Sequence, residues 1–389
     1  MQAYFPQVVL PFPLRRYQQE AVFALLKQRH GTVVLPTATG KTAIALDCIR
    51  RLKMRTAVLV PTEVLLKQWV DKLREAGIHA GVYYGKEKRP YSAVTVFIVN
   101  SAMIHPDLLK RFSFIVVDET HHLGAEQFCR LLPIIQTKPY ALGLTSYIRR
   151  SDGRDSLVRK VMPVIYHMHI ADAQNQRYIA PMNVLTVQAQ MSFEERRIYE
   201  EYTETIRRAY RILGTVNPAD LAKSKEPLAK ACLAAMAKRK VVLSNIQDKK
   251  SKVLMIAQKH PNERILVFSE SILGANAIQK HLIRNNVPSG IYHSQIPIYQ
   301  RRRALDLWKK HLYHVLVAVK CLDEGVDVPA CRIGIIVASG SANRQWIQRQ
   351  GRMMRKRPKM TGGVIYIVYC TNTIESRYSQ KVAWILAHL

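Results

Sequence analysis

Short apolar runs alternate with longer stretches of helical periodicity over most of the chain. Thr32-Val33-Val34-Leu35 reads as a buried strand, and Ala43-Ile44-Ala45-Leu46-Asp47-Cys48-Ile49 as the helix after it. Ala57-Val58-Leu59-Val60 predicts a second strand, followed by a helix over 64–75 that Gly77 ends. Further strands are predicted over 94–99, 114–117 and 141–146. This alternation predicts a parallel α/β sheet, in which ligands bind beyond the carboxyl ends of the strands.

From about Ala173 the pattern changes. Gln174-Asn175-Gln176-Arg177 reads as a connector, and Ser192-Phe193-Glu194-Glu195 as a capping box. The helix it opens carries Ile198, Tyr202, Ile206 and Tyr210 at helical spacing, and a second helical stretch runs from Pro227 to Lys259. Strands resume over 264–270, 315–318, 333–337 and 364–368. The pattern therefore divides into an α/β lobe over 1–172, a helical connector over 173–260 and a second α/β lobe over 261–389.

Charge changes this picture from a scaffold to a binder. The 389 residues hold 59 Lys and Arg against 28 Asp and Glu, a net charge of +31, while 48% of residues are hydrophobic. Such an excess over what solubility needs points to a polyanionic partner. Nucleic acid is favoured over membrane, because no apolar run approaches spanning length. The first residues have no signal-peptide layout, and the six cysteines are scattered without a C-x-x-C pair. Both features read as an intracellular protein with reduced thiols, cytoplasmic or associated with the nucleoid or nucleus.

The candidate chemistry lies at predicted strand ends. Leu35-Pro36-Thr37-Ala38-Thr39-Gly40-Lys41-Thr42 joins the first strand to the first helix. Backbone N–H groups at such a helix start bind anions; Lys41 would reach the β- and γ-phosphates and Thr42 would hold Mg²⁺. Leu35 occupies the first Gly position of the usual phosphate-loop pattern. Asp118-Glu119 ends the strand over 114–117. After a Gly-Lys-Thr loop, two acids there suit metal-assisted phosphoryl transfer, with Asp118 on Mg²⁺ and Glu119 positioning or deprotonating water. Arg15 and Gln18, just ahead of the loop, read either as contacts to an adenine edge or as the start of an amphipathic helix. Thr62, Asn100 and Ser101 at strand ends read as contacts to the phosphates of a polymer or as helix caps. Lys230, Lys238, Arg239, Lys240, Lys249, Lys250 and Lys252 make the helical connector basic, suiting either nucleic-acid backbone contact or a solvated face.

Taken together these segments resemble the superfamily 2 nucleic-acid-dependent ATPases, and among them the XPB-type DNA helicases and translocases. Leu14-Arg15-Arg16-Tyr17-Gln18 resembles the family's adenine motif, residues 36–42 its motif I and Asp118-Glu119-Thr120-His121 its motif II. Gly143-Leu144-Thr145 and the turn after it resemble motif III. Leu322–Pro329 resembles motif V and Gln348–Arg355 motif VI. The resemblance implies two RecA-like lobes with ATP and Mg²⁺ between them, held by Thr37, Thr39, Gly40, Lys41 and Thr42 on one side and by Gly325 and Asp327 on the other. It implies arginine fingers at Arg352 and Arg355, coupling residues at His121, Thr145 and Gln348, and nucleic-acid contacts at Thr62, Asn100, Ser101, Ser269 and Lys320. Three departures stand out: Ala38 for the usual Gly, Ser146-Tyr147 for the usual Ala-Thr, and Val319 for the usual Thr. The expected function is ATP-driven movement on duplex, forked or single-stranded DNA in repair, recombination or replication, by a chain close to a bare motor. An RNA helicase, the motor of a nuclease or restriction assembly with a partner subunit, and a non-catalytic nucleic-acid clamp stay open.

Overall fold

The structure, a computed structural model, describes residues 5–10, 12–85, 87–90, 92–147, 153–319, 331–337 and 362–376. The first sheet contains β1 (His30–Val34), β2 (Thr56–Val60), β3 (Gly81–Tyr84), β4 (Glu87–Arg89), β5 (Val94–Ile98), β6 (Phe114–Asp118), β7 (Tyr140–Thr145) and β8 (Val164–His167). Its order is β4-β3-β5-β2-β6-β7-β1-β8, and all pairings are parallel except β3 with β4. The central strands are buried along their length, which is why they read as continuous apolar runs rather than alternating ones. Helices cover both faces, so the apolar core lies in two layers. One is built on Val33, Val58 and Val116, the other on Ala57, Phe97 and Val117.

The second sheet contains β9 (Met182–Ala189), β10 (Ile265–Ser269), β11 (Ser289–Tyr292), β12 (Val315–Val319), β13 (Ile333–Val337) and β14 (Gly363–Cys370), in the order β11-β12-β10-β13-β14-β9 and parallel throughout. The segment expected to be a uniform helical connector is therefore mixed. Its β9 lies at the edge of the second sheet, paired with β14 from Met182↔Gly363 to Ala189↔Cys370. The long helical stretch is broken at Ile246 into Pro227–Asn245 and Gln247–Lys259, and Val253, Ile256 and Ala257 of the latter join the core of the second sheet.

The remaining helices form a small bundle. The capping box at Ser192 is present, with Ser192 Oγ accepting from Glu195 N at 3.2 Å and Glu195 Oε2 accepting from Ser192 N at 2.9 Å. The most buried side of the helix Phe193–Leu213 is Tyr199, Thr203, Ile206 and Ala209, with Tyr202 and Tyr210 packed at its margin against the helix Pro227–Asn245. Lys249 differs from the other bases of this region. It is 1% exposed and its Nζ lies 2.7 Å from a carboxylate oxygen of Glu375, so it belongs to the core of the second lobe and not to a basic surface.

Candidate nucleotide site

The loop after β1 is fixed by its own polar groups. Thr39 Oγ1 donates to Pro36 O at 2.7 Å, and Thr39 is 1% exposed. Lys41 opens the helix Lys41–Leu52, and its Nζ donates to Leu35 O at 3.1 Å and Pro36 O at 3.3 Å. Burial lowers the pKa of Lys41, and the nearby Glu119 and Asp118 oppose that shift. Lys41 and the two acids, far apart in sequence, therefore share one electrostatic neighbourhood. Gly40 has φ +80°, and a Cβ there would meet Gln18 Nε2 at 2.7 Å, so both conformation and space call for glycine. Ala38 sits at φ +68°, in the left-handed region where its methyl is unfavourable. Thr37 is half-buried and Ala38 exposed on the loop, and Thr42 is half-buried in the first helical turn.

Gln18 lies behind this loop. Its Oε1 accepts from Arg15 N at 2.9 Å and its Nε2 donates to Thr39 O at 3.0 Å, so the buried amide braces the loop. Tyr17 OH donates to the same Thr39 carbonyl, and the Tyr17 ring lies 4.5 Å from that of Tyr178. Arg15 is exposed, with its guanidinium 5.4 Å from the Tyr178 ring centre. Arg15 is thus the outward-facing member of the pair read as adenine contacts, and Gln18 the inward-facing one.

Opposite the loop, β6 delivers Asp118. Its Oδ1 accepts from Glu119 N at 3.0 Å and its Oδ2 from the indole Nε1 of Trp69 at 2.8 Å. Burial pushes the Asp118 pKa up, while the Trp69 hydrogen bond and Lys41 pull it down. Glu119 has φ 51° and ψ 53°, a left-handed conformation for a residue with a full side chain. Its Oε2 lies 3.4 Å from His121 Nδ1. His121 Nδ1 also lies 3.1 Å from Thr145 Oγ1 at the end of β7. The Thr145 hydroxyl donates to Tyr147 O at 2.8 Å, which makes His121 Nδ1–H the donor to Thr145. Gly143 permits this approach of the two segments: a Cβ there would meet Thr120 Oγ1 at 2.6 Å and Thr32 Oγ1 at 2.8 Å. The substitution at Tyr147 leaves Thr145 held, since both contacts use the Tyr147 backbone.

The oxygens of Asp118 and Thr42 are hard donors of the kind Mg²⁺ takes. The hydrogen bonds that Asp118 accepts from Trp69 and Glu119 come from neutral N–H groups, and the residue keeps part of its surface open. The residues present therefore fit a divalent cation beside a triphosphate.

The expected polymer contacts are less uniform. Thr62 caps the helix Glu63–Glu75, its Oγ1 accepting from Leu65 N at 3.3 Å. Asn100 is exposed and Ser101 half-buried in the short helix Val99–Ile104. Ser269 is 2% exposed and its hydroxyl donates to Ser271 O, so it is a strand-end brace rather than a surface group. Lys320, Gly325, Asp327, Gln348, Arg352 and Arg355 lie outside the described residues. Trp69 went unnoticed in the sequence. Leu66, Trp69 and Leu73 sit at helical spacing and read simply as core, yet a buried indole N–H needs an acceptor, and that requirement was the available signal.

Residues 11–150 match the family described as "Type III restriction enzyme, res subunit", and residues 247–357 match "Helicase conserved C-terminal domain". The DNA 3'-5' translocase XPB2 of Sulfurisphaera tokodaii is 31% identical over 369 residues, 90% of this chain and 82% of that protein. The DNA 3'-5' helicase XPB of Mycobacterium tuberculosis is 26% identical, over 94% of this chain and 62% of its own length. The transcription and DNA repair factor IIH helicase/translocase subunit XPB of Danio rerio is 24% identical over 95% of this chain, and the match spans 46% of that subunit. The crystal structure of the Pyrococcus furiosus Hef helicase domain shares the fold, with a TM-score of 0.62 at 17% identity over 94% of this chain and 98% of that one. The paired sheets and the loop facing two acids define a nucleic-acid-dependent ATPase. The chain belongs to the superfamily 2 helicases, in the group of the XPB-type DNA 3'-5' helicases and translocases.

Proposed function

We propose that this chain uses ATP hydrolysis to move along duplex or forked DNA, tracking one strand 3' to 5' as its relatives are named to do, in a repair, recombination or replication setting. The observation that carries the reading is the electrostatic neighbourhood that Lys41 shares with Asp118 and Glu119, together with the hydrogen bond that links His121, beside Glu119, to Thr145. In this reading Thr37, Thr39, Gly40 and Lys41 hold the triphosphate, Thr42 and Asp118 hold Mg²⁺, and Glu119 takes the proton of the attacking water. Bound Mg²⁺ offsets charge on the phosphates. Arg15 faces the base, and Gln18 holds the loop in register. Arg352, Arg355 and Gln348 of the second lobe complete the site, with Gly325 and Asp327 near the ribose. Closing on ATP and opening after hydrolysis move the two lobes alternately along the strand. The lobes divide at the connector, with β9 and the helix Gln247–Lys259 travelling with the second. Thr62, Asn100, Ser101 and Lys320 face the polymer in this scheme.

The test is steady-state ATPase at fixed salt with a DNA fork, DNA duplex, single strand and RNA duplex of matched length. Forked or duplex DNA is expected to stimulate hydrolysis, and Lys41→Ala to abolish it. Stimulation by RNA alone overturns the DNA assignment. Bound ATP with no stimulation by any polymer supports a clamp instead. Binding is expected to weaken steeply with salt, since each neutralised phosphate contributes about −0.9 to the log–log slope on duplex DNA.

A further inference from the structure

Asp118 is the terminal residue of β6, and a lone aspartate side chain rotates about two bonds. Here the rotation is closed at both oxygens: Glu119 N donates to Oδ1 at 3.0 Å and the Trp69 indole N–H to Oδ2 at 2.8 Å. The two donors differ in origin. Glu119 is the next residue in the chain. Trp69 comes from the helix Glu63–Glu75, which follows β2 and is anchored at its start by the Thr62 cap. Trp69 is 2% exposed, and on the same face Leu66 is 2% and Leu73 0% exposed. Its ring therefore sits in a packed wall and cannot turn without moving the helix. Any backbone carbonyl would satisfy a buried indole; this one instead gives its single donor to a functional carboxylate, and each oxygen keeps a further lone pair beyond the one used here.

We propose that Trp69 is a positioning residue for Asp118, fixing the plane of its carboxylate and tying it to the helix that leaves the polymer-facing end of β2. The assignment rests on Asp118 being the Mg²⁺ carboxylate. Outer partners of metal-holding carboxylates change metal affinity by about 10–100-fold when removed. Loss of the indole N–H frees Oδ2, so the carboxylate samples rotations that do not meet the cation. The polar contacts that shape the phosphate loop come from Thr39, Lys41, Tyr17 and Gln18 and not from the indole N–H, so the loop keeps its grip on the nucleotide.

The experiment uses the full chain in three forms: unsubstituted, Trp69→Phe, and with β-(3-benzothienyl)alanine at position 69. The last replaces N–H by sulfur in a ring of the same outline, and it decides the matter if Trp69→Phe does not fold. ATPase with duplex DNA is measured against Mg²⁺ concentration, and ADP affinity is measured separately in EDTA and in Mg²⁺. Half-saturating Mg²⁺ is expected to rise about tenfold. The rate at saturating Mg²⁺ is expected to return to within a few-fold of the unsubstituted chain, and ADP affinity in EDTA to stay within twofold. A merely structural tryptophan would lower the rate equally at every Mg²⁺ concentration. That result, or half-saturation within twofold of the unsubstituted chain, overturns the positioning role alone. Absence of Mg²⁺-dependent hydrolysis in the unsubstituted chain overturns the motor reading and this one with it.

Discussion

Asp118 and Glu375 are both carboxylates brought inside the protein near the carboxyl end of a central or near-edge strand, and they are solvated in opposite ways. Glu375 is 2% exposed and faces Lys249 at 2.7 Å, with Cys370 N donating to its Oε2 at 2.9 Å. Its charge is matched by a cation, and the pair fastens the helix Gln247–Lys259 to the residues after β14. Asp118 keeps an open side and accepts from the neutral N–H groups of Trp69 and Glu119. Lys41 affects it only through space, because the Lys41 ammonium donates to loop carbonyls. A buried carboxylate matched by lysine is finished structure. One oriented by neutral donors, with a lysine acting on it only through space, has no bonded cation of its own, and that is the condition of a group open to a metal ion. Beside the second site the left-handed residue is Asn372, at φ 55°, a type that tolerates it; around the first, Ala38 and Glu119 adopt left-handed conformations at φ 68° and 51°. Such strain persists where surrounding structure over-determines it.

The contrast is broken most severely through Glu119. Glu119→Gln keeps the side chain's outline and removes its ability to take a proton. The expected loss is about 10²–10⁴ in kcat, the usual contribution of a general base, with ATP still bound. A single-turnover measurement with labelled ATP separates stalled chemistry from lost binding. Hydrolysis near the unsubstituted rate would remove Glu119 from this role.

Glu375→Gln should do the reverse. Removing one partner leaves the Lys249 charge buried, a cost of about 3–5 kcal/mol. Denaturant unfolding should show that loss, while ATPase per folded molecule changes little. The double replacement Lys249→Met with Glu375→Leu should recover part of it, since apolar residues of similar size replace the buried charges at small cost but take away the partners of Cys370 N and Leu243 O. Recovery absent in the double variant would mean that the pair does more than fasten the helix.

The first site was largely legible in the sequence because its chemistry is local. A strand, a loop and a helix follow one another at 32–49, and two acids end an apolar run at 114–119. The second was not. Lys249 stands among basic residues of a helix and its partner is 126 positions away, so spacing gives no hint that it is core. The same holds for β9: as an edge strand with one open side it carries mixed polar and apolar residues, Asn183, Thr186 and Gln188 among them, and its partner β14 is remote in sequence. Trp69 escaped for a different reason. Its spacing with Leu66 and Leu73 marks one helix face, but periodicity reports which face is buried and not what a polar atom on that face meets. Gln18 was seen as a polar group near the nucleotide, whereas the structure gives both ends of its amide to the protein.

The smallest expected effect lies at Ala38. Its φ of +68° places Cβ against its own carbonyl, which for an L-residue costs about 1–2 kcal/mol. Glycine removes that cost but loses about 0.5–1 kcal/mol more chain entropy on folding. The balance for Ala38→Gly is a gain of about 0.5–1 kcal/mol. Ala38 is exposed on the loop, so the substitution opens no cavity and the gain should appear undiluted in the unfolding of the first lobe. The polar contacts that shape the loop come from Thr39, Lys41, Tyr17 and Gln18 and are untouched, so kcat should stay within about twofold, under half a kcal/mol in barrier. Denaturant unfolding followed by a probe in the first lobe, with ATPase on the same samples, checks both halves. A loss of stability by the glycine entropy alone would mean that Ala38 is not in the left-handed region in solution. A large fall in kcat with stability gained would mean instead that the strained alanine holds the loop stiff for the nucleotide.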